Sequence, residues 1–347
     1  MELTTRIGDK VGQVIGARPG EVRIADSTTV NLYKLATAAM GARPGRSVIL
    51  TDDLNFPSDH HALGSVAAAT GAGVRVVPSV DGIHGPVDAI TDALDEHVAL
   101  LTLSGTAFQS GYTYDVASVT EAAHAVGALV LWDFSHTVGS VPIDVTSAEV
   151  DLAVGCSYKY LNGGPGAPAW LYVRGELADA LENPVRGWMG HADTFSFDGR
   201  WEPAPGTDRF LTGTAPVLST ALIEPGVDLI LEAGMDRLRS ASLDLTGRLL
   251  DAFDDELAPR GFSLGSPRDD HRGSHVTLGH PEGLAIDLAL IAEEQVIPDF
   301  RPPDSIRLGI APLYLDADDV DEAVQRIIRV VDSGSFERHR NRSVGVT

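Results

Sequence analysis

The stretch ALVLWDFSHTVGSVPIDVTSAEVDLAVGCSYKYLNGGPGAP, residues 128–168, holds two short apolar runs, and each ends near a residue that carries charge: Asp133 after the first and Lys159 after the second. Lysine is scarce in this chain, three against twenty-three arginines. Unlike arginine, a lysine amine can lose its proton when desolvated, so a lysine kept at such a position suits covalent chemistry. Outward from this stretch, over about residues 47 to 172, the apolar runs SVILT, VRVVPS, VALLTLS, ALVLWD, DLAVGC and PAWLYV recur. The first four are separated by amphipathic runs such as HHALGSVAAATG, VDAITDALDEH and VASVTEAAHAVG. That is the βαβ rhythm of a mainly parallel sheet, and it predicts an α/β fold. Ligands of such sheets gather at the carboxyl ends of the strands, where Ser104 to Ser110, Asp133, Tyr158 and Lys159 all fall.

Beyond residue 174 the rhythm changes. A helix is predicted to about Glu182, then an irregular aromatic stretch over 187–206, then long helical patterns over 217–258. The strand-like runs SHVTLG and SIRLGI, with helices near 284–294 and 317–332, predict a smaller α/β domain. The expected organisation is a large domain over 1–222, a small one over 223–332 and a frayed tail over 333–347. Trp188, Phe195, Phe197 and Trp201 lie in the irregular stretch, where large apolar rings either cover a pocket or face a second subunit.

The composition narrows the partners. A formal charge of −23 argues against nucleic acid and anionic membranes, both of which reward clustered Lys and Arg. No stretch has the length of a membrane span and the amino terminus lacks a signal-peptide core, so a cytoplasmic location is expected. The single cysteine, Cys156, excludes an intramolecular disulfide and reads as a small buried hydrophobe. The histidines show neither HExxH nor CxxC-type spacing, and no metal is expected.

A carboxylate and an amine at the ends of neighbouring strands suit pyridoxal phosphate (PLP), with Asp133 on the pyridinium nitrogen and Lys159 on the aldehyde carbon. Asp133 alone reads more simply as a helix cap; Lys159 turns the balance toward a cofactor. His136 lies three residues on, where it can stack on or hydrogen-bond to a ring, although a lone histidine is more often structural. Asp133, Ser135 and His136 are the residue types of a hydrolytic triad, but neighbours in one loop lack its geometry and no GxSxG elbow is present. The GGPG after Lys159 lacks phosphate-loop spacing and reads as a turn. Ser27, Thr28 and Thr29 precede a predicted helix, serving as an ordinary N-cap or as phosphate donors. Phe56, held by Pro57, is either packing or a stacking ring. Arg307 in SIRLGI is either a salt-bridge partner in an acidic protein or a fork for a substrate carboxylate.

These segments together resemble kynureninase, a fold-type I PLP enzyme of tryptophan catabolism. The similarity rests on DSTTVNLYK (26–34), NFPSDHHA (55–62), WDFSHTVGSVPIDV (132–145), DLAVGCSYKYLNGGPGAPAWLYV (151–173), GWMGH (187–191), DRFLTGTAPVLS (208–219) and IRLGIAPLY (306–314), in the family's order. The resemblance implies that Lys159 forms the Schiff base, Asp133 pairs with the pyridine nitrogen and Phe56 stacks on the ring. It implies that Thr28, Thr29, Ser110 and Tyr158 hold the phosphate or neighbouring atoms, and that Asp59 and His136 complete the shell, His136 also beside the substrate. Trp188 and Thr214 resemble residues given to the partner subunit, implying a homodimer with shared active sites. Arg307 would bind the carboxylate of an amino acid substrate, and Tyr158 would donate a proton.

The implied reaction is hydrolysis of L-kynurenine to anthranilate and L-alanine. Gly213 and Thr214 look more like the kynurenine-preferring bacterial type than the 3-hydroxykynurenine type. Two departures stand out: Met189 replaces the family's usual Phe, and a YLDGNSLG-like segment that family members carry upstream is expected to be missing from the substrate wall. The alternatives are therefore a PLP-dependent lyase or aminotransferase acting on another amino acid, and a PLP-binding regulatory or partner protein with impaired catalysis.

Overall fold

The computed structural model describes residues 2–197, 199–340 and 342. Two compact units emerge, one formed by residues up to 108 and by 113–235, the other by 109–112 and the chain from 236 onward.

The first unit is built on a seven-stranded sheet. In chain order its elements are α1 (Glu2–Ile15), β1 (Val22–Ile24), α2 (Thr28–Gly41), β2 (Val48–Asp52), α3 (Pro57–Thr70), β3 (Gly73–Val77), α4 (Val87–Ala93) and β4 (Val98–Ser104). There follow α5 (Val116–Ala125), β5 (Leu129–Asp133), β6 (Leu152–Gly155), β7 (Trp170–Val173), α6 (Gly175–Ala178), α7 (Val217–Ala221) and α8 (Ile223–Ala233). The spatial order is β1-β7-β6-β5-β4-β2-β3. Neighbours from β3 to β6 pair in parallel, while β7 runs antiparallel to both β6 and β1.

The parallel strands explain why the sequence shows unbroken apolar runs rather than alternation. Every residue of β4, β5 and β6 is buried, because helices cover both faces of a parallel sheet. Trp132 and Trp170 are fully buried in this core. Gly155 admits the indole of Trp170 so closely that a Cβ would lie 2.5 Å from it.

Three expectations change. The helix predicted to Glu182 spans only Gly175–Ala178. The pattern over 217–258 is broken at Leu222 and at Gly234, whose φ of +82° ends α8. The division between units falls after Met235 rather than after residue 222, because α8 is held on α1 by ion pairs from Arg6 to Glu224 (2.8 Å) and from Lys10 to Asp228 (2.6 Å).

In the second unit, α9 (Met235–Ala252), β8 (Ser263–Leu264), β9 (His275–Gly279), α10 (Gly283–Glu293), β10 (Asp299–Arg301), β11 (Ser305–Gly309) and α11 (Ala317–Ser333) form an α/β layer. Its four-stranded antiparallel sheet has the order β10-β11-β9-β8, and Val276, Leu278, Ile286, Ile306 and Ile327 lie in its core. The tail is not frayed throughout. Residues Ser335–His339 form a 3-10 turn, and the buried His339 meets Glu293 at 2.9 Å. The remainder of the expected tail, 341 and 343–347, lies outside the described residues.

Candidate active site

The register of the parallel strands sets Ser104 opposite Asp133 and Asp133 opposite Val154, so the carboxyl ends of β4, β5 and β6 lie side by side. Backbone bonds continue past the strand ends, from the Gly105 amide to the Asp133 carbonyl (2.8 Å) and from the Phe134 amide to the Val154 carbonyl (2.8 Å). The Asp133 side chain accepts from the Ser135 amide at 2.8 Å, and the Ser135 hydroxyl accepts from the Cys156 amide at 3.1 Å. These bonds tie the turn after β5 to the turn after β6. The chain thereby fixes Asp133 relative to Lys159, which the sequence places far apart.

Around this junction the candidates converge. The half-buried Lys159 amine lies 2.8 Å from Nε2 of His136, itself buried, and faces the Tyr158 ring. Asp59, in the first turn of α3, is buried beside Asp133. Burial first, and the neighbouring Asp133 carboxylate second, hold the Asp59 carboxyl well above the usual range, against the opposing pull of Lys159. One oxygen of Asp59, Oδ2, finds no hydrogen-bond partner among the described residues. Burial pushes the Tyr158 hydroxyl up to about 12, with Cys156 adding to the effect. The Cys156 thiol is likewise raised by burial, in keeping with a packed, unreactive side chain.

Phe56 is partly exposed at the amino end of α3 and meets Phe108 edge-on, with ring centroids 5.2 Å apart. Two residues that sequence reasoning missed hold it there. Asp52 accepts from the amides of Leu54 (3.2 Å) and Asn55 (3.1 Å), and the Tyr114 hydroxyl donates to its other oxygen. Asn55 accepts from the Ser104 amide and donates to Thr51 Oγ1 at 2.8 Å. The signal was the polar run TDDLN at the end of an apolar strand, since buried polar side chains require partners.

Ser27 caps α2, leaving Thr28 half-buried and Thr29 exposed in its first turn. The amino end of this fourteen-residue helix offers amides and hydroxyls to an anion. Trp188 opens a 3-10 turn and packs edge-on against Phe195, while the exposed Gly213 and Thr214 line a hollow that includes Asp26 and Thr212. These three thus make their contacts elsewhere than at Lys159. In the second unit, Ser110 accepts from the Tyr112 amide at 3.1 Å. Arg307 lies in β11 with both arms of its fork on Asp299, which also receives Arg301 at 2.9 Å.

Among the described residues no group of His, Cys, Asp and Glu side chains is placed to hold a metal ion, and no helix is long and apolar enough to cross a membrane. The residues present fit PLP. A pyridinium N–H answers the need of a buried carboxylate pair for a cationic donor, and Lys159 supplies an amine for the aldehyde.

The architecture is shared with a cysteine desulfurase from Thermococcus onnurineus (TM-score 0.84, 18% identity, 96% of this chain and 84% of that one). It is also shared with an alanine–glyoxylate aminotransferase from Nostoc sp. (TM-score 0.71, 20% identity, 95% and 86%). Fold and site together define a PLP-dependent enzyme of fold type I. Residues 238–327 match the model of the kynureninase C-terminal domain. The chain is 38% identical to a kynureninase from Pseudomonas fluorescens over 95% of its own length and 79% of the relative's. It is likewise 38% identical to one from Burkholderia pseudomallei, over 96% and 80%. The chain belongs to the kynureninase family.

Proposed function

We propose that this chain hydrolyses L-kynurenine to anthranilate and L-alanine, with Lys159, Asp133 and Tyr158 as its catalytic residues. The observation that carries the reading is the meeting of Lys159, His136, Asp133 and Asp59 at the strand ends of a chain 38% identical to kynureninases. Bound PLP supplies an electron sink for the charge that develops on substrate carbon. Asp133 holds the ring nitrogen. Burial and the neighbouring Asp133 carboxylate hold the Asp59 carboxyl well above the usual range, which favours its neutral form.

Lys159 would hold the cofactor aldehyde and serve as general base for the α-proton, with His136 at 2.8 Å orienting its amine. Cleavage needs water at the γ-carbonyl and a proton at the β-carbon. Tyr158 adjoins Lys159, and its hydroxyl is the donor that this step would use. Phe56 stacks on the ring, and Thr28, Thr29 and Ser110 serve the phosphate. Arg307 grips the substrate carboxylate, sharing its fork with Asp299 or releasing it. Trp188, Gly213 and Thr214 serve the neighbouring active site of a cytoplasmic homodimer, with kynurenine preferred over 3-hydroxykynurenine.

The test is release of fluorescent anthranilate from kynurenine by the PLP-loaded protein, alongside its visible absorption. Wild type should show both, and Lys159→Ala should lose both. A wild-type absorption band without anthranilate would leave a PLP enzyme acting on another amino acid.

A further inference from the structure

Of the three lysines, Lys10 lies at the surface and Lys159 at the strand ends; Lys34 is fully buried, with no solvent exposure. An ammonium in such a place is costly unless it is paired and hydrogen-bonded. Its partners lie just past the edge strand β1 and at the end of the 3-10 turn Gly206–Phe210. Lys34 Nζ donates to Asp26 Oδ2 at 2.7 Å and to the Phe210 carbonyl at 2.8 Å. The other oxygen of Asp26 accepts from the Thr212 hydroxyl at 3.0 Å.

Asp26 is itself fixed. Its carbonyl accepts from the Ala169 amide at 2.9 Å, extending the β1–β7 pairing, and its φ of +44° lies in the left-handed region, which aspartate tolerates better than most residues. Thr212 passes the constraint on. Its carbonyl accepts from the Met189 amide at 3.2 Å and packs so tightly on Gly187 that a Cβ there would lie 2.1 Å from it. Trp188 sits between these two anchored residues, and Gly213 and Thr214 follow Thr212 directly.

We infer that Lys34 is a positioning residue for the neighbouring subunit's active site: its buried ammonium, bound to Asp26 and the Phe210 carbonyl, holds the 210–214 segment and, through Thr212, the Gly187–Trp188 turn. The inference rests on the reading that Trp188, Gly213 and Thr214 act across a homodimer. It adds a cause for their placement, in a fully buried residue bound to Asp26 and the Phe210 carbonyl.

Two variants test it. Lys34→Met keeps the length of the stem and removes the charge, and Thr212→Val cuts only the bond to Asp26. In the cofactor-free dimers, hydrogen exchange should quicken at 186–190 and 209–215 by roughly tenfold or more, with the rest of the chain unchanged. Each variant homodimer should lose most anthranilate release. Co-assembly with Lys159→Ala should then restore it, because the site holding an intact Lys159 receives its 188 and 213–214 residues from an undamaged neighbour.

Restored activity in mixed dimers supports the cross-subunit role, since a subunit that merely folded badly would not regain function. Absence of restoration from soluble mixed dimers, a monomeric wild type, or unchanged exchange at both segments overturns it. If Lys34→Met does not fold, Thr212→Val gives the same comparison. A wild type that cleaves no kynurenine sinks the proposed function, while the exchange measurement still decides whether Lys34 holds the two segments.

Discussion

Asp52 offers a prediction whose size follows from the structure. It is almost fully buried, and burial pushes its carboxyl up to about 6, against the opposing effect of the Tyr114 hydroxyl and the amides of Asn55 and Leu54. The unfolded chain releases this proton near 3.8, whereas the folded protein holds it to about 6. Between those values the folded state carries more protons, so stability falls as pH rises through the window and stays lower above it. The rise from 3.8 to about 6 corresponds to about 3 kcal/mol.

Asp52→Asn has no proton to lose and keeps an oxygen for the Leu54 and Asn55 amides. Denaturant unfolding of the two cofactor-free proteins across the acidic to neutral range isolates the effect, because all other titrating groups are common to both. Relative to wild type, the variant should gain about 3 kcal/mol between roughly pH 4 and pH 7. Kynurenine turnover should persist, since the turn before Phe56 keeps its bonds. A stability difference that does not change with pH would refute the reasoning.

Two further substitutions separate roles within the candidate site. Asp59→Asn should be tolerated better than Asp133→Asn, because burial and Asp133 already push the Asp59 carboxyl toward its neutral form, whereas Asp133→Asn should lower kcat by ~10²-fold or more. Steady-state kinetics at saturating PLP measures both, and equal losses would contradict this division of roles between them. Arg307→Lys removes a forked donor and should raise KM for kynurenine by roughly tenfold or more with a smaller effect on kcat. A fall in kcat at unchanged KM would remove Arg307 from carboxylate binding.

Much of the candidate site could be proposed from sequence because its residues sit where local patterns change. Asp133 closes an apolar strand and Lys159 lies just past the end of the next, Thr28 and Thr29 open a helix, and strand ends are where a parallel sheet collects its ligands. Phe56 was readable from the rigid turn at Pro57, whereas Asp59 came only from the family resemblance. Asp52 and Asn55 escaped notice because their partners, Tyr114 and Ser104, lie in other strands and loops. The same holds for Asp299, which occupies the fork of Arg307 through the pairing of β10 with β11.

The sequence by itself determined the alternation of strands and helices, the acidic composition, and the amine and carboxylate on which the proposed chemistry turns, because periodicity and residue type are local properties. Only the tertiary structure decided that β7 alone runs against the other strands of its sheet, that α8 belongs with α1, and that burial beside Asp133 raises the Asp59 carboxyl. The same is true of Lys34, whose burial depends on a carbonyl 176 residues away. The physical reason is common to all four. Direction, desolvation and charge state are set by neighbours brought together through long loops, and no local window of sequence contains them.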